Sequence, residues 1–420
     1  MPFDVGGFPD LPPQERGAHR GAVALWLFLV CGMIWVMVIL GGLTRLTGSG
    51  LAIMEWAPVT GVLPPLNHAD WESLYRLYQK IPQYKLVNDG FGLAGFQRIF
   101  WLEWVHRLWG RLIGVVFFLP LVWFWVRGRL PRGLPVRLAG FFVLGGLQGA
   151  VGWFMVASGF FPDATSVAPA RLVLHLALAL ALYAAILWTG LSVLHPVGAA
   201  PAGTRGLRRA VACALGLLSF TIVAGGFVAG THAGLEYNTF PLMDGRLVPA
   251  GYARLHPFLR NLTQNLAAVQ FDHRLLATAT VLAILVALGL ALRPGVPAGV
   301  RRPVLALAGL VAIQFALGVA TLLLVVPVPL ASAHQANAVL VLTAGLVALH
   351  ALRRQPARST AGRPQASSAA PPASPASSGI TPALPGPSGI RPALPAASPV
   401  PPVAPPPGSS SGPADRPAPS

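Results

Sequence analysis

Residues 171–193, RLVLHLALALALYAAILWTGLSV, hold one arginine at the edge, one histidine, and otherwise side chains that are apolar or carry a single polar atom on a large or small frame. A helix of that length spans the roughly 30 Å hydrocarbon core of a bilayer, and its apolar surface has no need of a watery side. Reading outward finds seven more such runs, near residues 22–42, 104–126, 137–158, 208–230, 271–292, 303–325 and 332–352. The composition agrees: 54% of the residues are hydrophobic and 10% charged, against about 25% charged in an ordinary soluble domain. A soluble globular class is therefore excluded. The fold class expected is an all-α integral membrane protein with eight transmembrane helices.

The formal net charge of +17 raises the question of a nucleic-acid partner. The placement of the charges answers it, because they fall in short clusters between the apolar runs. Arg127, Arg129, Arg132 and Arg137 separate spans two and three; Arg205, Arg208 and Arg209 separate four and five; Arg293, Arg301 and Arg302 separate six and seven; Arg353 and Arg354 follow span eight. By the positive-inside rule these loops are cytoplasmic, which puts both termini in the cytoplasm and the long loops after spans one and five outside. Cys31 and Cys213 both lie within apolar runs, so no disulfide framework is proposed. Residues 1–21 are polar and contain acids, unlike a transit peptide, and the first apolar run is too long for a cleaved signal. From residue 356 onward, 19 prolines stand among 65 residues of mostly Pro, Ala, Ser and Gly. Such a composition cannot bury enough apolar area to offset its ordering entropy, so residues 353–420 are expected to be a disordered cytoplasmic tail.

The two four-span halves echo one another. Gly41, Gly42, Thr47, Gly50 and Leu51 match Gly225, Gly226, Thr231, Gly234 and Leu235; His106-Arg107-Leu108 matches His273-Arg274-Leu275; Gln148 and Gly152 match Gln314 and Gly318; His175 matches His334. An even number of spans per half gives repeats of parallel topology. The expectation is two pseudo-symmetric four-helix bundles, residues 22–193 and 194–352. His106, His175, His273 and His334 begin spans two, four, six and eight, all at the end assigned to the outer side. Two imidazoles on facing helices, with no thiolates or carboxylate cluster beside them, suit bis-histidine axial ligation of haem better than tetrahedral zinc. One porphyrin per half follows.

The halves differ at one chemically informative place. Glu103 precedes His106 by three residues, on the same helix face, whereas Gln270 holds the matching place before His273. Glu103 has two readings: an acid near the start of a helix, favoured by the dipole, or a group assisting chemistry at the porphyrin edge. On the second reading the first half is reactive and the second holds electrons. Arg107 and Arg274 have the fork geometry to pair with haem propionates, and headgroup anchoring explains them equally. Trp101, Trp104 and Trp109 read as an interfacial aromatic belt, Arg111 as a snorkelling interface residue, and the segment from Thr44 to Leu51 as a lid folding back over the outer site.

The runs GGLTRLTGSGLAIMEWAPVTGVLPP, QRIFWLEWVHRLWGRLIG, GLEYNTFPLM, VQFDHRLLA and SAHQANAVL resemble the haem A synthase family, in particular its alphaproteobacterial and mitochondrial branch, over about residues 22–352. The resemblance implies a bacterial inner-membrane enzyme, an oxidoreductase acting on a CH group, that converts the C8 methyl of haem O to a formyl group and so supplies haem A for cytochrome c oxidase. It implies that His273 and His334 ligate a haem b cofactor, that His106 and His175 are axial ligands of the substrate haem, and that Glu103 is catalytic. It further implies haem O synthase and cytochrome c oxidase assembly factors as partners, a lipid environment, and no nucleic acid. The outer-loop cysteine pair of some family members is missing here, so a mechanism needing that disulfide does not transfer.

Methyl-to-formyl conversion is a four-electron oxidation, read as two hydroxylations with water as the oxygen source, followed by loss of water from the gem-diol. Two other classes share parts of the pattern. A di-haem electron-transfer subunit needs the four histidines but not Glu103, and a haem transporter needs a path to both faces although the ligands all lie on one side.

Overall fold

The computed structural model describes residues 13–58, 60–195, 201 and 203–353; the proline-rich tail and the start of the N-terminal segment lie outside the described residues. Eleven α-helices follow in order: α1 Pro13–Leu46, α2 His68–Tyr78, α3 Pro82–Val87, α4 Gly92–Val126, α5 Leu134–Val156, α6 Pro169–Leu194, α7 Arg205–Thr231, α8 Asn261–Gln264, α9 Leu266–Ala291, α10 Ala298–Leu323 and α11 Val328–Ala351. Eight of them, α1, α4, α5, α6, α7, α9, α10 and α11, are long and apolar enough to cross a membrane. Among the described residues no strand forms beyond an isolated bridge between Met243 and Arg246.

Several helix starts carry a local signal. Proline stands in the first turn of α5, α6 and α11, where its missing N–H is no loss, and the Asn265 side chain accepts the Ala267 and Ala268 N–H groups at the start of α9. Each of the eight membrane helices starts before its apolar run, while α5, α9, α10 and α11 end one or two residues short of theirs. The largest difference is α4, which begins at Gly92 rather than near residue 104, so that His106 sits well inside the helix. The added turns bury Phe96, Ile99 and Phe100 under Tyr78 and Ile81 of the first long loop, together with Leu51 and Ala52. That loop, which the sequence reading left without helices, contains α2 and α3.

Helices α1, α4, α5 and α6 contact one another in a ring, as do α7, α9, α10 and α11, and the two groups meet where α1 touches α11 and α6 touches both α7 and α11. One continuous core runs through both groups. Helices α5 and α10 are peripheral: α5 buries Leu134 and Leu138, and α10 buries the single stripe Val300, Val304, Leu307 and Val311.

Lipid is as apolar as leucine, so close packing and interhelical hydrogen bonds hold such a bundle rather than water exclusion. Gly226 and Gly230 on α7 supply the closeness. A methyl group on either would stand 3.0 Å from Val173 or Pro169 of α6. Tyr183 to Thr343 at 2.7 Å, Gln335 to the Val38 carbonyl at 2.7 Å and Trp35 to the Ala336 carbonyl at 2.9 Å fasten α11 to α6 and α1. Each is worth on the order of 0.6 kcal/mol in a membrane bundle.

Candidate functional site

The four histidines stand at one end of the bundle, the end bearing the loops from residue 47 to 91 and from 232 to 265. Each ring faces a glycine of a neighbouring helix. A Cβ on Gly41 of α1 would lie 3.1 Å from His106 Cε1; on Gly152 of α5, 2.9 Å from His175 Cε1; on Gly225 of α7, 2.9 Å from His273 Cε1; and on Gly318 of α10, 2.9 Å from His334 Cε1. A methyl group at any of these four positions would push the ring it faces out of its present place. The sequence had marked these glycines as matched but gave them no role.

Within each half the two rings lie in electrostatic reach of one another, His106 with His175 and His273 with His334. All four keep some accessible surface despite their place inside the bundle. Second contacts orient them. His273 Nδ1 is 3.1 Å from the Thr221 carbonyl. Gln148 donates to the His175 carbonyl at 2.9 Å, and Gln314 to that of His334 at 3.0 Å. His106 Nδ1 is buried with no partner. A donor set of two imidazoles per half, rings cleared by glycine, and a buried ring nitrogen left open fit axial ligation of a planar macrocycle. Among the described residues no three His, Cys, Asp or Glu side chains gather to hold a bare metal ion.

Above each pair a loop is strapped down from the helix below. In the first half, Glu103, 3% exposed, accepts from the Ile53 backbone N–H at 2.9 Å and from Arg107 Nε and Nη2 at 3.0 and 2.6 Å. Arg107 also donates to the carbonyls of Ile53 at 2.6 Å and Glu55 at 2.8 Å, and Arg111 to those of Ala57 and Pro58. Of the segment from Thr44 to Leu51, Leu51 packs with Phe96, Ile99 and Phe100 of α4, and the hydrogen bonds to α4 come from residues 53 to 58 that follow it. Arg111, read as a snorkelling residue, is one of the clasps.

In the second half Gln270, 2% exposed, donates to the carbonyls of Ala233 and Tyr237 at 2.9 and 3.1 Å. Arg274 donates to Tyr237 and Thr239, each at 2.9 Å. Glu103 and Gln270 therefore hold equivalent straps with opposite hydrogen-bond polarity, one accepting from a backbone N–H and the other donating to carbonyls. Propionate pairing by Arg107 or Arg274 would have to share guanidinium groups already turned toward loop carbonyls. Near the second strap, burial and then the Asp272 carboxylate, which accepts the hydroxyl at 2.8 Å, push the Tyr252 phenol up to about 12.

The tryptophans divide. Trp101 packs among Trp71, Phe100 and Trp104 beneath the first loop, and Trp56 stacks on Trp153. Trp109 is no belt residue, since its indole donates at 2.9 Å to the Met33 carbonyl of α1.

Residues 24–346 match the protein family described as cytochrome oxidase assembly protein. A protein named heme A synthase from Granulibacter bethesdensis is 62% identical over 341 residues, which cover 81% of this chain and 89% of that one. The chain belongs to the haem A synthase family. Relatives of the same name from Rhodospirillum centenum, 51% identical, and Nitrosospira multiformis, 47% identical, are covered over 92% and 96% of their lengths. The match to the haem A synthase family takes in all four histidines, their glycines and both straps, and ends before the tail.

Proposed function

We propose that this chain is an oxidoreductase that converts the C8 methyl of haem O to the formyl group of haem A, in two pseudo-symmetric halves, residues 22–193 and 194–352, with different tasks. The observation that carries the reading is the pairing of two glycine-cleared histidine couples with a carboxylate, Glu103, at the strap position of only one of them, where the other has Gln270. His106 and His175 are taken as the axial ligands of the substrate haem. His273 and His334 would hold haem b, which when bound supplies a one-electron carrier.

The overall change is R–CH3 + H2O → R–CHO + 4 H⁺ + 4 e⁻, so the site has to deliver water and remove protons. Two histidines on the substrate iron close it to oxygen, which directs oxidation to the ring edge. Glu103 is the acid-base group of the first half, its carboxylate oriented by Arg107 and by the Ile53 N–H, and it accepts the proton released as water adds. The strap from Thr44 to Trp56 excludes bulk water from this region. Gln270 cannot ionise, so the second half binds without performing this chemistry. The positive loops support a reading with the termini in the cytoplasm of a bacterial inner membrane and the haem sites toward the outer face, where the product would pass to cytochrome c oxidase assembly factors; a haem O synthase is the expected source of substrate.

The test is co-expression with a haem O synthase in a host that makes no haem A, followed by extraction of the pigment. Formyl-bearing porphyrin is expected; haem O alone would overturn the reading and leave an electron-transfer or haem-carrying protein.

A further inference from the structure

The two histidine pairs differ in a second respect, which lies beneath the rings rather than above them. In the second half, Asn337 Nδ2 donates both to the backbone carbonyl of Leu310 at 3.0 Å and to Gln314 Oε1 at 2.8 Å. Gln314 Nε2 in turn donates to the His334 carbonyl and stands 3.2 and 3.3 Å from the two ring nitrogens, which places the amide nitrogen over the ring. Backbone carbonyls at both ends accept only, so neither amide can turn over without setting acceptor against acceptor. The polarity of the relay is fixed, with the positive end of the Gln314 dipole on His334.

The first half repeats the glutamine but not the brace. Gln148 Nε2 is 3.1 and 3.4 Å from the ring nitrogens of His175. Three residues after His175, where Asn337 follows His334, stands Leu178. Leucine donates nothing, and Gln148 Oε1 is buried without a partner.

We propose that Asn337 and Gln314 are positioning residues that tune the second site as an electron acceptor. A positive dipole end against an axial imidazole draws electron density from it, weakens it as a donor to ferric iron and favours the ferrous state. A site that has to take electrons from the other half benefits from that bias. In the first site the His175 carbonyl holds Gln148 Nε2 at 2.9 Å, but no donor meets its oxygen, so that site lacks the Asn337 half of the relay and the polarisation it adds. The proposal rests on the reading that His273 and His334 hold haem b, a reading whose own failure shows separately as an unchanged haem spectrum in His334→Leu.

The experiment is a redox titration of the purified, haem b-loaded protein, followed in the visible spectrum. Gln314→Leu removes the dipole and should lower the ferrous-to-ferric ratio at a given potential about tenfold, which is about 59 mV for a one-electron couple. Asn337→Leu should produce part of that change, and the double variant no more than Gln314→Leu alone. Gln314→Glu, which keeps the shape but replaces the donor with an acceptor, should lower the ratio further than Gln314→Leu. An unchanged ratio in the variants that retain haem, or fully additive shifts in the double variant, would overturn the proposal. Haem-free preparations of all of them would assign the relay to holding the fold and overturn it equally.

Discussion

Gly225→Ala tests whether the histidine cradles are binding features or packing details. The added methyl would stand 2.9 Å from His273 Cε1, 3.4 Å from Nδ1 and 3.7 Å from Nε2, where carbon atoms in contact prefer about 3.5–4.0 Å. The ring must then retreat by roughly 0.6 Å, whereas a metal–ligand bond tolerates about 0.2 Å. Overpacking of this kind costs about 1–3 kcal/mol, which corresponds to a loss of roughly 5- to 150-fold in haem affinity. Gly216→Ala on the same helix is the control, because a methyl there meets nothing within 4 Å and alanine is the better helix former by about 1 kcal/mol. The assay is the haem-to-protein ratio and visible spectrum of the two variants purified in parallel. Equal haem content and identical spectra would refute the cradle argument, and with it the assignment of His273 as an axial ligand.

Glu103→Gln should retain haem b, which the other half holds, because the amide keeps the shape and an oxygen to accept the Ile53 N–H, while haem A output falls about 100-fold, the scale of general acid-base catalysis; pigment analysis at matched protein level decides it, and undiminished output would leave Glu103 as a strap anchor alone. Replacing His273 or His334 with Leu should each abolish a low-spin haem spectrum in the purified protein, and full retention in both would remove the cofactor assignment. A reporter active only in the cytoplasm should work when fused after Arg354 and be silent in the loop at Asp163; the opposite pattern would turn the histidine end toward the cytoplasm.

Most of the fold was legible because the bilayer imposes one requirement, a long apolar helix, that can be read without knowing any contact. All eight membrane helices were located in this way. Their extents were not, since Phe96, Ile99 and Phe100 extend α4 by packing on Tyr78 and Ile81, and such burial under a loop leaves no apolar run of membrane length. The four histidines and Glu103 stood out because the sequence repeats itself and then departs from the repeat. Arg111 and Trp109 were misread for a common reason: an arginine or tryptophan near a helix end looks the same whether it meets lipid headgroups or a backbone carbonyl. The glycines opposite the rings were visible as matched pairs, but nothing in a glycine says what fills the space beside it. Asn337 escaped notice because its partner, Gln314, lies on another helix, 23 residues away in the chain.

The most direct measurement is conversion by the purified protein itself. Loaded with haem b in detergent, and supplied with haem O and a one-electron acceptor, it should yield porphyrin whose C8 methyl has become a formyl group, in amounts that rise with time and vanish in His106→Leu. Recovery of unchanged haem O, with haem b still bound and the acceptor still competent, would contradict the account.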